Sequence, residues 1–252
     1  EVLFQLFTVG VPGEDVRLLF PEGWRVSQMS SLVAQSGLWT EAEFEAAVER
    51  VAGRHSAFQD RPLNSAEGLL FPDTYAVSGE MSAEDLVQMM LERHLQVQEA
   101  IQEAYSEQLS ETRSQYRLSD YELTIAASIV QAEGQVPDEY PTLARVIFNR
   151  LSQGMPLQMD PTCHYLEAFS ALPVHLACRE PDNYYSTYVI EGLPPTPIGN
   201  PGRDAMAAVL APDDREEAAS YLYFVAMQDG SGRHAFASSY AEHRENIERF
   251  LR

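Results

Sequence analysis

The sequence predicts an α+β protein, with a small strand–helix–helix module followed by a larger mixed domain carrying a long helix and a β-hairpin. Three observations predict it. Apolar residues recur at helical spacing in several separate windows. Ser/Thr-x-x-Glu capping signatures open three of those windows. Short extended runs lie beside turn residues at both ends of the chain, with no regular strand–helix alternation between them.

The elements follow in order. Val16 to Phe20 reads as a strand and Pro21 to Trp24 (PEGW) as the turn after it. Val26 to Leu38 places Val26, Met29, Leu32 and Val33 on one helical face. Thr40 and Glu43 form a capping box opening a second helix to about Val51. These residues, 6–56, make a module too small for a catalytic core. Arg54 to Glu67 is polar and irregular, so a boundary is placed near 57. Gly68 to Val77 (GLLFPDTYAV) reads as strand, turn and strand. Ser82 then caps a long helical arm, about 82–112, with Leu86, Met89, Met90 and Leu95 along one stripe. From Gln96 to Ser114 that arm is mostly polar, as in helices that protrude or bridge.

Ser119 and Glu122 form another capping box, opening Leu123 to Gln131 (LTIAASIVQ), apolar on nearly every face and therefore buried. Glu133 stands at its end, and Gly134 is a natural helix stop. A helix from about Glu139 to Gln153 ends at Gly154. Pro156 to Pro201 is a long loop region rich in Pro, Tyr and Asp, and loops of that length usually carry function. Arg203 to Leu210 is a short helix. Tyr221 to Ala226 and Arg233 to Ala237 flank QDGSG as a hairpin, and Ser239 caps the last helix.

Composition narrows the chemistry. The 252 residues carry 38 acidic and 17 basic side chains, a formal charge of −21, and every basic residue is arginine. Without lysine there is no Schiff-base chemistry and no phosphate-binding Gly-Lys loop. The acidic balance argues against nucleic acid as a partner. No apolar run reaches the roughly 18 residues of a membrane span, and no leader is recognisable, so the chain reads as cytoplasmic or trimmed. Residues 1–5, EVLFQ, match the cleavage sequence of a protease used to remove tags and are set aside as a candidate tag remnant.

Glu133 is the first catalytic candidate. A carboxyl at the end of a buried helix loses solvation, and the helix C-terminus adds negative potential, so both raise its pKa toward that of a general acid. Against this stands the plain reading of a solvated helix end. Cys163, His164, His175 and Cys178 allow a disulfide, free thiols or a metal site, although the spacing matches no common zinc motif. His234 and His243 are candidate proton carriers or substrate contacts, or simply packed side chains. The Pro-rich segments 157–162 and 192–198 are stiff enough to hold a groove. Tyr184, Tyr185 and Tyr188 offer flat faces with polar tips, suited to sugar rings.

Several stretches together resemble the MltG/YceG-like family of endolytic murein transglycosylases: EGLLFPDTY (67–75), LTIAASIVQAE (123–133), VIFNRLSQGMPLQMDPT (146–162), YSTY (185–188), GLPPTPIGNPG (192–202) and YLYFVA with a following His-x-Phe (221–236). They keep the family's order over residues 67–243. The PEGW segment also resembles the start of the LysM-like module that precedes the catalytic domain, so 6–56 is read as LysM-like and 57–252 as the catalytic domain. The resemblance implies cleavage between N-acetylmuramic acid and N-acetylglucosamine within a peptidoglycan strand, leaving a 1,6-anhydro end, with no cofactor and no metal. It implies a single-pass anchor, absent here, at the periplasmic face of the inner membrane, and cell-wall synthases of the elongation machinery as partners. Glu133, in Ile129-Val130-Gln131-Ala132-Glu133, inherits the family's catalytic role. Many relatives have a second acid two residues earlier, where this chain has Gln131. Asn149, Gln158, Asp160, Tyr185, Thr187, Tyr188 and His234 are expected around the substrate, and Cys163–Cys178 as a local disulfide. The chain departs from common family patterns at Ser186 and Arg244. Two other readings stand beside this one. One is a muramidase that uses water, with Asp160 or Glu191 as second carboxylate. The other is a catalytically silent peptidoglycan-binding scaffold.

Overall fold

A computed structural model describes residues 7–8, 16–58 and 65–251, so the candidate tag remnant lies outside the described residues. The chain divides into two compact units. The first comprises residues 1–100 with 198–202, and the second 101–197 with 203–252.

In the first unit β1 (Phe7–Thr8), β2 (Val16–Leu19) and β3 (Thr74–Val77) form an antiparallel sheet with β2 in the middle. Val16 pairs with Val77 and Leu19 with Thr74, which turns Leu18 and Tyr75 together to the buried face. Between β2 and β3 come α1 (Val26–Ser36) and α2 (Glu41–Arg54). Thr40 Oγ1 accepts from Glu43 N while Glu43 returns a bond to Thr40 N, so the capping box forms as its sequence requires. The α1 residues Met29, Leu32 and Val33 and the α2 residues Phe44, Ala47 and Val48 join Leu18, Leu69, Leu70 and Leu86 in one core. Residues 67–70 are a turn rather than the expected first strand of 68–77. Among the described residues no strand pairs with it, and Leu70 N donates instead to the Asn200 side chain at 2.9 Å.

α3 (Ala83–Ala104) and α4 (Ser106–Tyr116) replace the single helix expected to about 111, with a break at Tyr105. The polar stretch does not protrude throughout. In the second unit Leu109 and Thr112 of α4 are buried, and Thr112 Oγ1 donates to Leu210 O at 3.0 Å. α5 (Asp120–Glu133) begins at the Ser119–Glu122 capping box and buries Leu123 through Val130 without interruption. After a 3-10 turn at Pro137–Glu139 comes α6 (Tyr140–Ser152), which packs beside α5 with its apolar face. The long loop region holds three single-turn helices, α7 (Asp160–Cys163), α8 (Glu167–Ser170) and α9 (Val174–Ala177). α10 (Arg203–Leu210) covers α5 and α6. The hairpin of β4 (Tyr223–Ala226) and β5 (His234–Ala237) pairs Tyr223 with Ala237 and Ala226 with His234, and α11 (Tyr240–Phe250) closes the unit.

Gly134 does end α5, but not through a left-handed backbone: its φ is −85°. A Cβ there would lie 2.4 Å from the Tyr140 ring, so the position needs glycine for space.

Candidate active site

The last turn of α5 delivers Glu133 to the floor of a cleft of about 370 Å³. The α6 residue Arg150, the loop residues Gln158, Asp160 and Tyr188, the hairpin residues Tyr223 and His234, and the α11 residues Tyr240 and His243 line it with Glu133. The cleft therefore draws on α5, α6, the loop region, the hairpin and α11, which only the fold brings together.

Surrounding protein strips water from the Glu133 carboxyl and pushes its pKa up to about 8. The nearby Asp160 carboxylate raises it further, while the Asp160 backbone N–H, which donates to Glu133, and the Arg150 guanidinium oppose the rise. Gln131 Nε2 donates to the Tyr140 hydroxyl at 3.1 Å.

Arg150 is anchored by carbonyls. Its Nε donates to Leu222 O at 2.6 Å and its Nη1 to Leu157 O at 2.6 Å and Pro156 O at 3.2 Å. It lies 5.3 Å from the Tyr223 ring centroid, and burial lowers its pKa. The guanidinium thus ties β4 to the 156–158 segment and leaves a fixed positive charge beside Glu133.

The 158–160 segment is held from behind. Gln158 has φ +51°, a left-handed backbone that side chains other than glycine rarely adopt. Its N–H donates to Thr187 O at 3.1 Å, and Met159 N donates to Thr187 Oγ1 at 2.8 Å. Thr187 Oγ1 also meets Thr162 Oγ1 at 3.1 Å. The half-buried Tyr188 donates its hydroxyl to Asp160 Oδ1 at 2.7 Å, and its partial burial with that bond pushes the phenol pKa well above its usual value.

His234 is buried, and its Nδ1 lies 3.0 Å from Glu139 Oε2, which also accepts from His234 N at 3.1 Å. Facing a carboxylate, Nδ1 is the donor, which leaves Nε2 as the ring's remaining polar atom. His243 stacks on Tyr223 at 5.3 Å, and burial followed by the Arg150 charge lowers its pKa. A neutral imidazole and two tyrosines thus form one wall.

Of the residues expected around the substrate, Gln158, Asp160, Tyr188 and His234 line the cleft with Glu133. The others stand outside its lining. Asn149 is buried and spends its amide on Ala218 O and Tyr221 O, at 3.1 and 2.9 Å. Thr187 supports the 158–160 segment as described. Tyr185 is buried with its hydroxyl 2.6 Å from Thr196 Oγ1, and the exposed Tyr184 packs on it. Glu191 is exposed and does not line the cleft. Cys163 and Cys178 are joined by a disulfide.

Sequence reasoning missed Arg150, Tyr223, Tyr240 and Glu139. Arg150 carried a signal, as a charge two residues after the apolar run Val146-Ile147-Phe148 on a buried helix. Glu139 and His234 are 95 residues apart, and no local pattern joins them.

A crystal structure of a putative YceG-like protein from Listeria monocytogenes superposes on this chain with a TM-score of 0.74 and 27% identity, covering 91% of this chain and 75% of that one. The endolytic murein transglycosylase of Bacillus subtilis (strain 168) is 26% identical over 264 residues, covering all of this chain and 69% of the relative. That of Streptococcus pneumoniae (strain D39) is 28% identical over 254 residues, where the match takes in 91% of this chain and less than half, 44%, of the relative's length. The model of the YceG-like family matches residues 2–249, nearly the whole length, and this chain belongs to the YceG-like family.

Proposed function

We propose that this chain is an endolytic murein transglycosylase that cleaves the bond between N-acetylmuramic acid and N-acetylglucosamine within peptidoglycan strands and leaves 1,6-anhydro-muramyl ends. The observation that carries the reading is Glu133, a carboxyl with pKa near 8 on the floor of an aromatic-walled cleft. The names of the Bacillus and pneumococcal relatives support it.

At neutral pH Glu133 is mostly protonated and donates to the departing glycosidic oxygen. The carboxylate so formed is stabilised by the Asp160 N–H and Arg150. It then takes the proton from the 6-hydroxyl of the muramyl residue as that oxygen closes on C1. The nucleophile is already part of the substrate, so the step gains the high effective molarity of an intramolecular reaction. No second catalytic carboxylate is needed. Tyr223, Tyr240 and Tyr188 offer faces for the sugar rings, and Gln158 and His234 offer hydrogen bonds.

A second reading rests on Asp160, a carboxylate close enough to Glu133 to raise its pKa. A water-using muramidase needs such a pair. Tyr188 already donates to Asp160, which favours a positioning role for it.

The first unit, with α1 and α2 between antiparallel β2 and β3, supports a LysM-like strand–helix–helix–strand reading in which that unit contacts glycan or orients the enzyme. Among the described residues no helix is long and apolar enough to cross a membrane. As part of the same proposal the enzyme acts at the periplasmic face of the inner membrane, beside cell-wall synthases.

Digestion of purified sacculi with mass analysis tests the proposal. The parent protein releases anhydro-muropeptides, and Glu133→Gln loses at least about a hundredfold in rate while keeping its fold. Products one water heavier would establish the muramidase instead. Sacculus binding without soluble product would leave only a binding scaffold.

A further inference from the structure

A second cavity, of about 650 Å³, adjoins the Glu133 cleft and shares Gln158, Asp160 and Tyr188 with it. The rest of its lining comes from Val174, His175, Cys178 and Arg179 in and after α9, and from Val189. The catalytic chemistry above uses the shared residues but not Val174, His175, Arg179 or Val189. Both volumes fall in the range of small-ligand sites.

The α9 side of the lining is built rather than loose. The Cys163–Cys178 disulfide closes the 15-residue segment that holds α8 and α9. Asn183 Nδ2 donates to Cys163 O at 2.8 Å and Ala177 O at 3.0 Å, and Ser186 Oγ donates to Cys178 O at 2.8 Å. His164 Nε2 meets Leu172 O at 2.9 Å. These bonds tie the segment to the 183–188 stretch that also supports Gln158. At the junction stands Gln158 with its left-handed backbone, a conformation that persists only where surrounding bonds over-determine it. Exposed apolar surface accompanies it: Tyr188 is 40% and Val189 44% exposed. A phenol ring and two valines beside an arginine and a histidine suit the apolar face and hydroxyl rim of a pyranose.

We propose that this cavity is a further saccharide subsite, walled by the disulfide-held segment, which takes a sugar of the same strand beyond the linkage at Glu133. The inference rests on the glycan-cleaving reading above and adds to it a cause for strand-length preference. Binding energy from a sugar remote from the reacting centre is available to orient the linkage, so longer strands are cleaved with higher kcat/KM.

Uncrosslinked glycan strands of defined length test it. One set is just long enough to fill the Glu133 cleft, and the other extends past Tyr188. The parent is expected to favour the longer set on the order of tenfold in kcat/KM. Val174→Trp, which fills the cavity, and Val189→Asp, also in its lining, should each bring that ratio toward one. In a Glu133→Gln background, V174W should reduce binding of the long strands to that of the short ones, as read by calorimetry. Near-UV circular dichroism and a thiol count establish folding, and if one variant misfolds the other decides. A folded variant that keeps the parent's length preference, or a parent that cleaves both sets equally, overturns the inference alone. A parent that cleaves neither set overturns the glycan-cleaving reading.

Discussion

Glu133 has opposite demands placed on it by burial and by reaction, and pH separates them. Its folded pKa of about 8 lies above the ordinary carboxyl value of 4.5. Between those values the folded chain holds a proton that the unfolded chain has released. The stability contribution of the neutral carboxyl is therefore complete below about pH 4.5 and is lost as pH rises through 8. Glu133→Gln removes the titration. The variant should come close to the parent near pH 5 and gain on it by about 4 kcal/mol of unfolding free energy by pH 8.5, as read by denaturant unfolding at both values. Cleavage by the parent should fall as pH rises past 8, with the loss of the acid form. A stability difference that does not change with pH would mean that Glu133 ionises freely in the fold. The raised pKa of Glu133 was foreshadowed by a helix apolar on nearly every face that ended in a carboxyl, while its catalytic role is the proposal that the family resemblance suggested. The role of Arg150 was not legible, because it depends on Leu157 and Leu222 carbonyls that no helix pattern foretells. Asn149 looked like a substrate contact and is instead a bracket for Ala218 and Tyr221, since an amide's partners are chosen by the fold.

Among the elements, those with a complete local code formed where the sequence put them. The boxes at Thr40 and Ser119 satisfy both ends of the cap with residues three apart, so the starts of α2 and α5 need nothing distant. The hairpin needed only its turn: Asp229 Oδ1 accepts from Ser231 N, and Gly230 takes a positive φ. Elements decided by packing were less legible. The break at Tyr105 has no proline or glycine to announce it. The 163–178 segment read as loop because single-turn helices leave no periodicity. Its stability should depend on its covalent closure. Replacing Cys163 and Cys178 together by serine should lower the unfolding free energy by about 3 kcal/mol, the loop-closure value for 15 residues. Differential scanning calorimetry of parent and variant reads the change, and identical transitions would mean the bonds from Asn183 and Ser186 hold the segment unaided.

For the whole molecule, charge sets how it meets its substrate. A chain at −21 gains no long-range attraction to an anionic wall, so the proposed glycan binding calls for stacking and hydrogen bonds at contact distance. Added salt screens any charge repulsion within about 10 Å at 0.1 M. Binding of Glu133→Gln to sacculi should therefore hold or strengthen between low and moderate salt, in a pelleting assay. A steep loss of binding with salt would reveal a local basic surface strong enough to override the total charge.

The first unit is also discontinuous in the chain, which has a consequence for its birth. Asn200 donates to Glu67 across 133 residues at 2.9 Å and to Trp24 O across 176 at 2.9 Å, while Gly23 N donates to Asn200 O at 2.8 Å. Gly199 fits against Gly23 so closely that a Cβ would lie 2.4 Å from its carbonyl oxygen. During synthesis the first hundred residues leave the ribosome well before these five are made. Until residue 202 emerges, the buried Glu67 keeps Val26 N but lacks the Asn200 amide. The N-terminal unit must therefore wait for a distant piece of chain, and its final closure is a late, long-range event in folding.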